Sequence, residues 1–186
     1  ETDSLNPTKV HCIVAKDIDS GEVTSFPPEK VHEFKSWSLG VKQFIMHNGL
    51  SFDAPVCNRL LGTNIKPSQI IDTLVLSQMF NPIREGVKPH SLGTWGDRLK
   101  MPKGDMTSFE FYTPAMLEYC QQDVNITHKL FKVLEQEGRG FSRASIRLEH
   151  EVRVIIDQQE INGFAIDMRK AMSLYNILKD ESDLLE

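Results

Sequence analysis

Asp53 follows an apolar run, Val41 to Met46, and the turn His47-Asn48-Gly49. It sits just beyond a predicted strand and opens a predicted helix, where the helix dipole favours a carboxylate. The same position suits a plain capping aspartate. Tyr119 and Asp123 stand four residues apart in another predicted helix, so both project from one face. They read either as a phenol and a carboxylate over one site or as a core tyrosine beside a surface acid. Glu1 is a third acid, followed by Thr2, Asp3 and Ser4, which alone read as a frayed polar start.

Taken together, the three carboxylates imply more than each alone. Carboxylates gathered at one point do not all stay ionised without cations. Oxygen-only clusters, with no Cys or His partners, suit Mg²⁺ or Mn²⁺. Two such ions about 4 Å apart clamp the attacking and leaving oxygens of a phosphodiester. A negative chain can hold a polyanion in this way.

The chain is negative: 21 Lys and Arg against 26 Asp and Glu give −5 over 186 residues. That excludes a simple basic nucleic-acid binder. A chain this long buries about 70% of its unfolded surface and needs no disulfide or zinc to fold. The 40% apolar and 25% charged residues are ordinary for a globular protein. Cys12, Cys57 and Cys120 form no CxxC pair, and an odd count cannot close into a full disulfide set, so reduced thiols in a cytoplasm are expected. No apolar run is long enough to span a membrane, and no basic-then-apolar stretch near Glu1 has the pattern of a signal peptide, so none is expected. The chain starts at Glu1 without Met and stops at Glu186 inside a helical pattern, so both ends are expected to be cut.

The elements that must position the acids follow from pattern and punctuation. Lys9 to Asp17 and Glu22 to Phe26 predict a hairpin around Asp19-Ser20-Gly21, closed by Pro27-Pro28. Lys30 to Leu39 predicts a short helix, and Val41 to Met46 a strand. A helix over Asp53 to Leu61 should stop at Gly62. Ile70-Ile71 predicts a short buried strand, with Asp72 capping a helix from Thr73 to Phe80. A loop over Asn81 to Pro89 and a short helix over His90 to Leu99 follow. Thr113 caps, and Pro114 opens, a long helix to about Glu137. Gly138-Arg139-Gly140 breaks it; helices follow over Ser142 to Glu160 and from Met168 onward, separated by a short extended piece at Gly163 to Asp167. Strands alternating with helices make the class α/β with a mixed sheet.

The order ETDSL, HNGLSFD and YCQQD resembles the three exonuclease motifs of the DEDD superfamily, in the subgroup with tyrosine in its third motif. Asn48, Phe52 and Asp53 fit the second motif; Tyr119 and Asp123 fit the third. IDTLVLS and HSLGTWGDRL resemble the phage branch of family A DNA polymerases. LEHEVRVIIDQQEINGFAID resembles the segment leading from exonuclease into polymerase. The resemblance implies a ribonuclease-H-like fold, a mixed β-sheet flanked by helices, with a C-terminal helical extension. It implies an exonuclease domain over residues 1–138 and a helical link over 139–186 that begins a polymerase module. It implies 3′→5′ proofreading that releases nucleoside 5′-monophosphates, in the cytoplasm of a bacterial host. By motif, Glu1, Asp53 and Asp123 ligate two Mg²⁺ or Mn²⁺ ions, and Tyr119 orients the attacking water. Thr2 lies near the terminal hydroxyl, Leu5 wedges the terminal base, and Asn48 and Phe52 line the groove for single-stranded DNA or a frayed primer 3′ end. Mismatched ends unpair at lower cost, which is the source of selectivity. The first motif of this family has an Asp two residues before its Glu, on a strand in the middle of the sheet. Here Glu1 is first, so the native chain is expected to continue upstream.

Two other readings compete. One is a free-standing 3′→5′ ribonuclease, which would prefer RNA by its 2′-hydroxyl. The other is an inactivated fold that binds single strands or braces a polymerase. Among the remaining residues, Asp72 reads as a helix cap and Trp95 as core packing. His47 and His90 read as phosphate contacts or as structural hydrogen-bonders. Lys100 and Lys103 read as phosphate contacts or as solvated loop lysines.

Overall fold

The computed structural model describes residues 7–106 and 108–185. The chain divides into two compact units, Glu1–Ile155 and Ile156–Glu186. The first unit holds two pairs of strands. β1 (Ile13–Lys16) and β2 (Val23–Phe26) form the expected hairpin, antiparallel, with Ile13 opposite Phe26. β3 (Phe44–Met46) and β4 (Ile70–Asp72) are parallel, with Met46 opposite Asp72. Both pairings expected of a mixed α/β chain are therefore present. Among the described residues, no ladder joins the two pairs into one sheet.

The helices follow local signals closely. After a 3₁₀ turn at Val31–Glu33, α1 covers Phe34–Ser38. α2 runs Asp53–Leu61 and ends at Gly62. α3 runs Thr73–Phe80, with the Asp72 side chain accepting from the Leu74 N–H as its cap. α4 is Leu92–Arg98, capped by Ser91, which accepts from the Thr94 N–H. α5 spans Pro114–Glu137; Thr113 stands at the cap position without a side-chain hydrogen bond, and Pro114 opens the helix. A 3₁₀ turn at Gly138–Gly140 occupies the expected break, and α6 covers Arg143–Asn162. In the second unit, Asp167 caps α7 (Met168–Asp183) by accepting from the Arg169 and Lys170 N–H groups.

α5 is the organising element of the first unit. Its Ile126, Leu130 and Leu134 are fully buried, and it packs against β1, β3, α3 and α4. Leu130 and Leu134 join Leu76 and Trp95 in one apolar cluster. A second cluster gathers Phe26, Phe34, Phe44, Leu50, Ile70 and Val75 around both strand pairs. Trp95 is core, as expected: it is buried, and its indole N–H donates to Ser77 Oγ at 3.0 Å. α5 is amphipathic, so burying this stripe leaves Tyr119 and Asp123 on a partly exposed face. Cys12, Cys57 and Cys120 are free thiols. No helix among the described residues is long and apolar enough to cross a membrane.

Candidate functional site

Two segments carry the described candidate residues. The first is the turn from β3 into α2. Asn48 adopts a left-handed backbone, φ 63°, which asparagine tolerates better than most residues. At Gly49 a Cβ would stand 2.3 Å from the Met46 Cβ, so only glycine lets the chain double back there. Phe52 and Ala54 donate backbone hydrogen bonds to the Asn48 and Gly49 carbonyls, both 3.0 Å. Asp53 then opens α2 on an exposed position, and Phe52 is half-buried.

Asp72 holds this turn from below. It is 1% exposed. Its Oδ1 accepts from the N–H groups of Asn48 (2.8 Å) and Leu74 (2.9 Å), and its Oδ2 from that of Leu50 (3.0 Å). The expected helix cap is thus also the brace of the Asn48-to-Asp53 turn. The Asp72 N–H donates to His150 Nε2 at 2.9 Å, while His150 Nδ1 meets the Ile146 carbonyl at 2.8 Å. An imidazole that accepts at Nε2 carries its proton on Nδ1, so His150 links α6 to β4. Arg153 adds a bond from α6 to Ser51 Oγ, 2.9 Å. Nothing in the spacing of His150 or Arg153 pointed to these roles; only the fold brings them here.

The second segment is the face of α5 that carries Tyr119 and Asp123. The structure brings these two together with Lys103. Lys103 Nζ lies 2.9 Å from Asp123 Oδ2 and 4.8 Å from the centre of the Tyr119 ring. Phe109 meets Tyr119 edge-on at 5.8 Å. An open cavity of about 490 Å³ lies beside them, lined in part by Lys103, Asp105 and Tyr119. Asp123 Oδ1 is buried and accepts no hydrogen bond among the described residues. Burial pushes the Asp123 carboxyl above its ordinary range; the hydrogen bond and charge of Lys103 pull it back only in part. Burial would lower the Lys103 ammonium, but its bonds to Tyr119 and Asp123 outweigh burial and raise it. A half-buried carboxylate with one oxygen unpartnered among the described residues could offer a single hard oxygen donor to a cation such as Mg²⁺ or Mn²⁺.

The remaining expected ligands are not gathered in view. Among the described residues, no three of His, Cys, Asp and Glu are grouped so as to hold a metal ion. Glu1, Thr2 and Leu5 lie outside the described residues. Asp53 and Asp123 are related through their elements: β3, which leads into the Asp53 turn, packs against α5.

A second open cavity, about 470 Å³, is lined by His47, Asn48 and His90 among others. His90 Nδ1 lies 2.8 Å from Ser77 Oγ, and His47 Nδ1 lies 2.9 Å from Thr73 Oγ1. Burial drives His47 down to about 4; the Asp72 charge and a hydrogen bond with the His90 backbone oppose this, and the charges of Lys103 and His90 add to it. Its folded pKa lies below the unfolded value of 6.5, so the unfolded chain takes up the proton first. The stabilising contribution is complete above pH 6.5 and is lost as pH falls from 6.5 toward 4. A shift of this size corresponds to about 3 kcal/mol. Urea unfolding of the native chain and of His47→Asn at pH 7.5 and 4.5 checks this. The native chain should lose about 3 kcal/mol more than the variant; equal losses would dismiss His47 as the source.

Compared with known proteins, the chain matches no family model and no curated protein.

Proposed function

We propose that this chain is the 3′→5′ exonuclease portion of a phage-type family A DNA polymerase, with a ribonuclease-H-like fold. The observation that carries the reading is the Tyr119–Asp123 face of α5. A phenol stands beside a carboxylate that has one buried, unclaimed oxygen, on a helix packed against the strand leading to Asn48, Phe52 and Asp53. The order of the three motifs in the sequence supports it further. In this reading the first-motif strand lies between the β1–β2 and β3–β4 pairs. Both pairs contact α5, and among the described residues no ladder joins them.

In this reading Glu1, Asp53 and Asp123 hold two Mg²⁺ or Mn²⁺ ions. Bound there, the ions would supply positive charge to the scissile phosphate and lower the pKa of a coordinated water. Tyr119 accepts or donates a hydrogen bond to the attacking water and fixes its direction. The water oxygen forms a bond to phosphorus, and the bond from phosphorus to the penultimate 3′ oxygen breaks. That oxygen takes up a proton and becomes the new 3′-hydroxyl; a nucleoside 5′-monophosphate leaves. Asn48 and Phe52 line the strand groove, Thr2 meets the terminal hydroxyl, and Leu5 wedges the last base. The residues from 139 onward lead into a polymerase module.

The test is a time course on 5′-labelled single-stranded DNA with Mg²⁺ or Mn²⁺ and an EDTA control. It is run on this chain and on one carrying an added Asp two positions before Glu1. A metal-dependent ladder of single-nucleotide steps supports the reading. Faster cleavage of a matched RNA would favour the free ribonuclease. Metal-independent binding of the strand without cleavage by either chain would favour the non-catalytic scaffold.

A further inference from the structure

The loop between α4 and α5 delivers one cation to the acidic face of α5, and it is held firmly on both helices. The Met101 N–H donates to the Gly96 carbonyl at 2.8 Å. The Gln122 side chain donates to the Pro102 carbonyl at 3.1 Å, and Lys129 Nζ to the Leu99 carbonyl at 3.0 Å. At Gly96 a Cβ would stand 2.7 Å from the Met101 carbonyl oxygen and 3.3 Å from the Lys103 nitrogen, so the loop can lie this close to α4 only over glycine. Lys103 is therefore not a freely solvated loop lysine. Its side chain is 28% exposed and ends 2.9 Å from Asp123 Oδ2.

An ammonium at that distance supplies one unit of positive charge and occupies one carboxylate oxygen. The other oxygen remains buried and without a donor among the described residues. We infer that Lys103 is the resident counter-cation of the Asp123 site: it positions the carboxylate in the ion-free protein, competes with a divalent cation for it, and turns to a non-bridging phosphate oxygen once that cation is bound. The inference rests on the reading of Asp123 as a cation ligand. Two cations at one carboxylate repel each other, so the lysine weakens ion binding. Lys103 lines the open cavity beside Tyr119, so a displaced ammonium would meet a phosphodiester bound in that cavity. The same side chain thus opposes the ion in the resting protein and assists the substrate in the loaded one.

These two roles have opposite signatures. Mn²⁺ binding is measured by the loss of the free-ion paramagnetic resonance signal, and cleavage by single-turnover kinetics at saturating Mn²⁺, both on the chain carrying the added Asp two positions before Glu1. Lys103→Met should bind Mn²⁺ about tenfold tighter and yet cleave on the order of 10- to 100-fold more slowly. Lys103→Arg keeps the charge and should bind Mn²⁺ as the native chain does. Lys103→Gln repeats the charge removal with a polar side chain, and circular dichroism selects the folded variants. Asp123→Asn must abolish the site in both backgrounds, which identifies the ion being counted. Unchanged or weaker Mn²⁺ binding in folded Lys103→Met and Lys103→Gln overturns the inference. Tighter binding with no cleavage by any chain upholds the competition, overturns the phosphate role, and counts against the exonuclease reading. Absence of any Asp123-dependent Mn²⁺ site overturns the inference and the exonuclease reading together.

Discussion

In the exonuclease reading, Asp123→Asn should slow metal-dependent cleavage by the chain carrying the added upstream Asp by more than about a hundredfold, while the chain stays folded. Groups that merely orient a metal ligand are worth about 10- to 100-fold, so removing a ligand itself should exceed that range. Asparagine keeps a carbonyl oxygen for Lys103 but loses the negative charge that a divalent cation needs. The folded state should tolerate the change. The carboxylate is already raised by burial, and Lys103 is exposed enough to turn its ammonium toward water. The melting temperature should move by no more than ~3 °C, the shift that about 1 kcal/mol produces in a chain of this size. The check pairs a single-nucleotide ladder with a thermal melt on the same preparation. An unchanged ladder would remove Asp123 from the reaction. A lost ladder with a collapsed melt would instead make the residue structural, and Asp123→Glu would then have to restore folding but not rate.

Asp72→Ala should strongly destabilise the first unit. Asp72 accepts three backbone hydrogen bonds at a fully buried position. Leaving a buried donor unsatisfied costs roughly 1–3 kcal/mol; the Leu50 bond is buried and the Asn48 and Leu74 bonds are part-buried, so the sum is about 4 kcal/mol. That corresponds to a fall of ~8–16 °C in melting temperature. Asp72→Asn should recover only part of it. One oxygen can still accept, but the amide nitrogen then faces a backbone N–H. Because the Asn48 and Leu50 N–H groups are among those released, the turn into Asp53 should loosen before the rest of the domain. Hydrogen exchange at Asn48 and Leu50 should rise above that of α5 in the variant. A melt within 2–3 °C of the native chain, the shift of about 1 kcal/mol, would show that water replaces the carboxylate without loss.

The two expectations place different demands on the same region. Asp123 is held with an oxygen unclaimed, and Asp72 with three donors satisfied. Asp72 is buried and Asp123 half-buried, and their hydrogen-bonding surroundings differ as well. The three donors around Asp72 make it structural, whereas the exonuclease reading assigns the less satisfied Asp123 to a cation.

Much of this arrangement is written in short stretches of the chain. The bounds of α2, α3 and α5 follow from Asp53 and Gly62, Asp72, and Pro114 with the Gly138 break, because caps and breakers act within one helical turn. The hairpin and the short β4 strand are equally local, as is the pairing of Tyr119 with Asp123, four residues apart on one helix. What only the tertiary structure decided is every contact that joins distant segments. Lys103 reads from sequence as a loop lysine, yet it meets a carboxylate 20 residues on, because Gly96 lets the loop descend onto α4 and α5. Asp72 reads as a cap for Leu74, yet its other bonds reach back to Asn48 and Leu50, because β3 and β4 run parallel and in register. His150 carries no local signal at all and is placed by α6 against β4. Periodicity and caps report the energy of one turn of chain. Whether a carboxylate is fully satisfied, as Asp72 is, or left with an oxygen unpartnered among the described residues, as Asp123 is, depends on donors supplied across the fold.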